Sequence, residues 1–273
     1  MGVRTETLGA MLPFDGAALP DSPAALADAI VRGLERYRIS AREVRAEGGV
    51  WPSLDELVVD LTGARISQEF RFPSVRSFGT EQIPIAHVEV RGTPIYFETA
   101  PLQLGLSATD AALALSAADG AGSLLTLARV ADGQINIEAQ HHDLEALAHQ
   151  IIAPLAAQQG VEIQSTQVAL TSDTPRSLDF RVEISAKMFV MTARATVTGH
   201  VEVDDQFNAH LSRLACKGHG LVAGAATAFL RPHFARLEQQ PISLLALPIG
   251  EIKLRDVSVA VAGAVRLHAR FGA

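Results

Sequence analysis

The chain has 273 residues, which is enough for one large domain or two modest ones. Its formal net charge is -7 and it has no basic run, which argues against nucleic-acid binding because phosphates are bound by clustered Lys and Arg. Hydrophobic residues make up 48% of the chain and aromatic residues only 5%, so the apolar content is mostly Ala, Leu, Val and Ile.

The N-terminal segment up to residue 18 lacks the apolar run of a signal peptide, since it includes Glu6 and Asp15. The most apolar run, Leu221 to Leu230, is too short to cross a bilayer as a helix. Cys216 is the only cysteine, which excludes an internal disulfide and fits a reducing compartment. We therefore expect a cytoplasmic protein, although a leader trimmed from the chain would leave no trace in it.

The first predicted helix spans roughly Pro23 to Arg38. Ser22 supplies an N-cap hydroxyl, and Pro23 suits the first helical position because its missing N–H would have no helical partner. Apolar residues then recur on one stripe at Leu26, Ile30, Leu34 and Tyr37.

A series of alternating segments follows the first helix and predicts strands up to residue 139. In the stretch from Glu56 to Phe72 the alternation changes parity at Gly63, which is typical of a β-bulge. Glycine and proline residues such as Gly92 and Pro94 divide the rest into short strands.

The second predicted helix runs from about Asp143, as its N-cap, to Gln158. Its apolar residues have helical spacing, and Pro154 lies inside it, where the ring should kink the helix. Gly160 then leads into a strand that we expect to be bulged.

The clearest alternation in the chain is the antiparallel meander that follows. Apolar residues alternate with polar ones from Leu178 to Ala186, and again over a very long strand from Phe189 to Val203. Asp204 and Asp205 form the next turn, and a return strand leads toward Cys216. Each strand therefore has one dry and one wet face.

The third predicted helix, about Leu221 to Leu237, is followed by two closing strands, Glu251 to Val261 and Val265 to Phe271. Pro232 lies inside this helix much as Pro154 lies inside the second. The similarity suggests a strand, helix, strand unit used twice.

A sheet with one apolar face must bury that face, and the three predicted helices are the elements that can pack against it. The long strand presents the small residues Ala193, Ala195 and Gly199 on its dry face, along roughly 50 Å at about 3.3 Å per residue. Small residues allow close packing and a filled core. They equally allow an open groove, in which an acyl chain gains about 0.8 kcal/mol per buried methylene.

The C-terminal part of the chain resembles a known family. Leu211 to Gly272 contains a strand, an apolar helix with a proline, Leu-Pro-Ile-Gly at Leu247 to Gly250, and a closing strand pair ending in His268-Ala269-Arg270-Phe271-Gly272. In these features it resembles the bacterial LmeA-like family of the tubular lipid-binding (TULIP, BPI-like) superfamily, which includes bactericidal/permeability-increasing protein and the SMP domains. The likeness extends less closely through Gln134 to Gly199.

The resemblance implies an α+β fold in which a long, highly curved antiparallel sheet wraps around amphipathic helices, built from an internal repeat. It implies one elongated domain, residues 1–273, with approximate halves 1–132 and 133–273. It also implies an apolar groove that holds a phospholipid or fatty acid. The groove would be lined by apolar helix and strand residues: Leu147, Ile151, Ile152, Leu155, Phe189, Ala193, Ala195, Val197, Phe229, Leu230 and Phe234.

Motifs of other chemistries are weaker. Gly218 to Ala223 matches a dinucleotide fingerprint, but the preceding strand is not continuously apolar, so a tight turn is the simpler interpretation. His141-His142-Asp143 lacks the further ligands of a metal site, and two solvated histidines at a helix start explain it. The chain has no GxSxG elbow.

We therefore expect a non-enzymatic lipid-binding protein, serving lipid transport, with no catalytic residue, no metal and no cofactor other than a bound lipid or fatty acid. Its partners would be that ligand, a membrane surface contacted transiently, or a second copy of the chain, and no nucleic acid. Two alternatives remain open. One is a structural or homodimerisation module of the same fold with a filled core, and the other is a nucleotide-dependent or acyl-processing enzyme.

Overall fold

The computed structural model describes residues 11–67, 75–77, 79–118, 122–158, 160–188, 191–219, 234–239, 241–244 and 252–273. The chain folds into two compact units. Unit 1 is formed by Met1–Glu138, Leu245–Asp256 and Leu267–Ala273, and unit 2 by Ala139–Leu244 and Val257–Arg266. The expected single elongated domain stays a prediction.

Strands predominate in the described ranges and helices are few, which confirms the expected β-rich fold. The elements are β1 (Met11–Phe14), α1 (Pro23–Arg36), β2 (Glu43–Glu47), β3 (Leu54–Asp60), β4 (Arg65–Ile66), β5 (Val75–Ser77), β6 (Gln82–Phe97), β7 (Ala100–Ala118), β8 (Ser123–Arg129), β9 (Asp132–Gln140), α2 (His141–Ala157), β10 (Glu162–Thr171), β11 (Ser177–Met188), β12 (Met191–Val203), β13 (Asn208–His219), β14 (Ile242–Ser243), β15 (Leu254–Ala262) and β16 (Ala264–Phe271).

The larger sheet has the strand order β15-β16-β9-β7-β6-β3-β2, with β4 on β6, β5 and β8 on β7, and β1 on β8. Its centre is the long hairpin of β6 and β7, which pair antiparallel from Gln82↔Ala114 to Phe97↔Ala100. The divisions predicted at Gly92 and Pro94 are wrong, because β6 continues through them with only a register shift between Gly92 and Ile95.

Two pairings depart from the antiparallel pattern that the sequence predicts. β3 runs parallel to β6, from Leu54↔Ile85 to Asp60↔Arg91. β4 continues the same parallel pairing with Arg65↔Tyr96, at an unchanged offset along β6. The parity change near Gly63 is therefore caused by a turn that interrupts the pairing with β6, in which Gly63 has a φ of +85°. The predicted bulge at this point is wrong.

Helix α1 packs against β1 and β2 and closes the core of unit 1. Ser22 Oγ accepts a hydrogen bond from Ala25 N at 3.3 Å, which confirms the predicted N-cap. Leu26 and Ile30 are completely buried, as are Leu57 and Ile83 in the sheet. Unit 1 thus has a tightly filled core.

The smaller sheet lies in unit 2 and has the order β10-β11-β12-β13-β14. Neighbouring strands in this sheet pair antiparallel from β10 to β14, which confirms the predicted meander. A register shift between Ile163 and Ser165 confirms the bulged strand after Gly160. A second shift between Thr198 and His200 marks a bulge in β13.

The second helix confirms its prediction apart from its start. It begins at His141, with Gln140 as the N-cap, whose side chain makes no capping hydrogen bond, so Asp143 lies in the first turn and is not the N-cap. Pro154 lies inside the helix as expected. Of the third predicted helix, residues 234–238 are helical, and 221–233 lie outside the described residues. None of the helices in the described ranges has the length and apolar character needed to cross a membrane.

Candidate functional site

The four long strands of unit 2 bring their apolar residues together on one face of the sheet, because residues that are direct cross-strand partners point to the same side. Phe180 is paired with Leu170 and Gly199, and Val197 with Val182 and Cys216. The apolar face, as we define it, comprises Thr166, Val168, Leu170, Leu178, Phe180, Val182, Ile184, Ala186, Ala193, Ala195, Val197, Gly199, Val201, Leu211, Leu214, Cys216 and Gly218.

The apolar face is only partly shielded from water. Thr166, Val168 and Gly199 are buried, and the other members of the face are half-buried. In unit 1, by contrast, the inward residues of β3, β6 and β7 are almost completely buried. Unit 2 therefore has an extended hydrophobic surface whose side chains retain access to solvent.

Toward the C-terminal end of β11 and the N-terminal end of β12, most residues of the apolar face have small side chains. Ala186 is opposite Ala193, and Ile184 lies opposite Ala195, which is in turn opposite Gly218. Over a β12 strand of 13 residues this face extends for roughly 40 Å. The side chains on this part of the apolar face are therefore short.

The bulge in β13 adds a large side chain to this face. Arg213 adopts a φ of +54°, and the extra residue turns Leu214 toward Gly199 of β12. The backbone N–H of Leu214 donates a hydrogen bond to Glu238 Oε1 at 2.7 Å. The carboxylate of Glu238 thus satisfies an N–H that the bulge removes from the ladder.

No family model, curated protein or solved structure matches this chain.

The predicted groove residues fall into three groups. Ala193, Ala195 and Val197 are half-buried on the apolar face. On α2, Leu147 and Ile152 are half-buried and Ile151 is 39% exposed, while Phe234 is half-buried in the helical turn 234–238. Phe189, Phe229 and Leu230, together with the side chain of Leu155, lie outside the described residues.

Helix α2 contacts the sheet along its outer strand, β10, through polar residues at successive turns. Glu145 Oε1 accepts a hydrogen bond from Val168 N at 3.0 Å, His141 Nε2 contacts the carbonyl of Val168, and His149 Nδ1 lies 3.3 Å from Thr166 Oγ1. The three residues are four apart, and Glu145 and His141 occupy the backbone N–H and C=O of Val168, which an outer strand would otherwise leave open to another chain. The pattern of apolar residues alone does not predict this polar contact.

The prediction of two solvated histidines at the start of α2 is wrong for His141, which is half-buried against β10. It is confirmed for His142, whose side chain is 79% exposed and lies 3.3 Å from Asp143. Within the described ranges, no three His, Cys, Asp or Glu residues are grouped so that they could hold a metal ion. Of the fingerprint, Gly220 to Ala223 lies outside the described residues.

The polar face of the same sheet places three potentially catalytic side chains in one row. Asp179 is paired with His200, and His200 with Ser212 on the next strand. Asp179 Oδ1 lies 2.9 Å from His200 Nδ1 and also accepts a hydrogen bond from Arg213 at 2.9 Å. In the part of the chain that the structure describes, Ser212 makes no hydrogen bond to His200, so the row provides an oriented histidine without an activated nucleophile.

Proposed function

We propose that the apolar face of unit 2 binds the acyl chain of a phospholipid or fatty acid, and that the protein carries lipid and does not catalyse a reaction. The observation that supports this proposal is the joining of apolar residues from four strands into one half-buried surface. A filled core would bury such residues completely, as unit 1 buries those of β6.

The driving force would be the transfer of methylene groups out of water, at about 0.8 kcal/mol each. Ala193 and Ala195 have short side chains and Gly218 has none, so an acyl chain would lie along the sheet over these residues. Because the face has few polar groups to orient a ligand, selection would depend on chain length and shape more than on the headgroup.

The proposal includes a tubular lipid-binding fold, in which the sheet of unit 2 curves around its ligand and the apolar helices. The long antiparallel strands β11 to β13 and the resemblance of Leu211 to Gly272 to LmeA-like proteins support it. A chain with one cysteine suits a reducing compartment, and we assign the carrier to the cytoplasm as part of the proposal.

The direct test is native mass spectrometry of gently purified protein, followed by titration with a soluble fluorescent fatty acid. We expect co-purified lipid, or stoichiometric uptake of the fatty acid that unlabelled palmitate displaces. A chain that is ligand-free and takes up neither fatty acid nor phospholipid would contradict the proposal.

A second copy of the chain is the other occupant to be tested. Sedimentation velocity of the delipidated protein, before and after addition of fatty acid, distinguishes the two, since a second copy bound on this face would exclude the fatty acid. A dimer that excludes the fatty acid would show that the face is a protein interface.

A further inference from the structure

The hairpin of β2 and β3 in unit 1 ends in an exposed apolar turn. The connecting residues, 48–53, are Gly-Gly-Val-Trp-Pro-Ser. The side chain of Val50 is 87% exposed, Pro52 is exposed and Trp51 is half-buried. A single exposed aliphatic residue is ordinary on a protein surface, but three consecutive apolar residues at the end of a hairpin are not.

The turn holds these residues in a defined geometry. Gly48 and Gly49 have φ of +76° and +73°, which favour glycine, and Cβ atoms built there would come within 2.1 Å of Asp55 and 2.3 Å of Ser53. Gly49 N donates to Asp55 Oδ2 at 3.2 Å, and Ser53 N donates to the carbonyl of Val50 at 2.9 Å. The exposure of Val50 is therefore built into the turn, which loses little conformational freedom on docking.

Three of the four charged residues next to the turn are paired with one another, and the fourth, Asp55, accepts a hydrogen bond from Gly49 N. Arg45 Nη2 donates to Glu56 Oε2 at 2.8 Å, and Arg45 Nε lies 3.6 Å from Glu47. The six residues of the turn include no charged side chain. The end of the hairpin is thus an apolar projection that has no cation with which to attract an anionic surface.

We infer that residues 48–53 are a membrane-docking tip that inserts Val50 and Trp51 into the headgroup region of a zwitterionic phospholipid bilayer. Trp51 lies beside the exposed Val50, and tryptophan prefers the boundary between headgroups and acyl chains. Without a cation at the tip, and with a net charge of -7 on the chain, an anionic membrane is disfavoured. The inference depends on unit 1 alone and does not require that unit 2 bind lipid.

Trp51 is the only tryptophan of the chain, so its fluorescence reports directly on the tip. The experiment mixes the full-length protein with phosphatidylcholine vesicles, with and without lipids that have a nitroxide quencher on the acyl chain. We expect a blue shift, quenching by the nitroxide and co-flotation with the vesicles, all unchanged between low and high salt. Binding that needs anionic lipid and disappears at high salt would overturn the inference.

Two substitutions at Val50 and one matched control complete the test. Val50→Asp should lower the vesicle-bound fraction about tenfold, since it places a charge where the wild type inserts a valine into the bilayer, and Val50→Leu should raise that fraction. Leu267→Asp, at a residue that is 37% exposed in the same unit, should leave binding unchanged. Equal losses for Val50→Asp and Leu267→Asp, or a Trp51 shift that depends on protein concentration without lipid, would overturn the inference.

The same variants separate this inference from the proposed function. Val50→Asp should still take up a soluble fatty acid in the absence of vesicles. If the wild type takes up fatty acid but does not bind vesicles, the docking tip is contradicted and the lipid-carrier proposal is not. If it binds vesicles but takes up no fatty acid, the lipid-carrier proposal is contradicted and the docking tip is not.

Discussion

Phe180 of β11 and Leu214 of β13 both pack against Gly199, the glycine between them on β12. A Cβ atom built on Gly199 would stand 2.4 Å from Phe180 Cζ and 2.6 Å from Leu214 Cδ2. Both distances are far shorter than van der Waals contact, so the two side chains occupy the space that any larger residue would need. The apolar face therefore has a large-small-large arrangement at this point.

This arrangement predicts that Gly199→Ala lowers the free energy of unfolding by about 1–3 kcal/mol, because a methyl group inserted there displaces both side chains. Gly105→Ala is the matched control, since nothing lies within 4 Å of a Cβ built on that glycine in β7. Alanine there should stabilise by about 0.5–1 kcal/mol. Urea denaturation measures the free energy of unfolding of both variants. If Gly199→Ala stabilises the protein, the close packing of Phe180 and Leu214 against Gly199 is contradicted.

A second prediction concerns Asp60, whose side chain is 8% exposed in unit 1. Burial raises the pKa of this carboxyl, but hydrogen bonds from Thr62 and Arg91 outweigh it, and the pKa lies below its ordinary value of 3.8. Folding thus favours the charged form. Its contribution to stability is complete above the ordinary pKa and is lost as the pH falls through the lowered value.

Asp60→Asn should accordingly lower the free energy of unfolding by about 1–3 kcal/mol at neutral pH, because Arg91 loses its buried partner. The difference in free energy of unfolding between Asp60→Asn and the wild type should become smaller below about pH 4. Glu89→Gln is the control, as Glu89 is the more exposed partner of Arg91, at 3.3 Å. A difference that is the same at pH 7 and pH 3 would show that the charge of Asp60 is not the cause.

The turn between β12 and β13 yields a third prediction. Asp204 accepts hydrogen bonds from the N–H groups of Asn208 and Gln206 and from His210, each at 2.8 Å, and these hold the pKa of its carboxyl well below the usual range. Asp204→Ala should speed amide exchange around Asn208. Asp205→Ala, at a fully exposed neighbour, should not.

The wild-type turn should keep its protection from exchange as the pH falls through the ordinary carboxyl range, because the lowered pKa of Asp204 keeps it charged there. Hydrogen exchange read by mass spectrometry follows the turn at each pH. Equal amide exchange rates around Asn208 in Asp204→Ala and Asp205→Ala would contradict the role of Asp204 in stabilising this turn.

A fourth prediction tests the attachment of α2 to β10. Glu145→Ala should raise the exchange rate of the Val168 amide about fivefold, which corresponds to one lost hydrogen bond of about 1 kcal/mol. Glu162→Ala, an exposed change in the same strand, serves as the control. An unchanged Val168 amide in Glu145→Ala would mean that the helix does not protect this edge.

Local patterns predicted those parts of the fold that depend on neighbours in sequence. The cap at Ser22 and the alternation of β11 and β12 are such features, since a hydroxyl before a helix and a two-residue period determine them directly. The parallel pairing of β3 with β6 was not predicted. It joins segments about thirty residues apart, and neither strand differs locally from an antiparallel one.

The candidate site was predicted in part. Pairing across β11, β12 and β13 places Ala195 and Val197 on one face, as their alternation implies. The side chain of Leu214 lies on that face because Arg213 has a positive φ. Arginine has no preference for a positive φ, so the sequence does not predict this conformation. Likewise, the side of α2 that meets β10 is polar, whereas sequence patterns favour its apolar side.

The most direct test of the lipid-carrier account is fatty-acid affinity in two variants of β12 that differ only in the face they alter. Ala195 lies on the apolar face and Thr196, its neighbour, on the opposite face beside Lys217. Ala195→Trp should fill the space above the sheet and weaken binding of a soluble fluorescent fatty acid about tenfold, the loss of roughly two buried methylenes, while Thr196→Trp binds as the wild type does. Equal affinities in all three proteins would contradict the binding of lipid on this face.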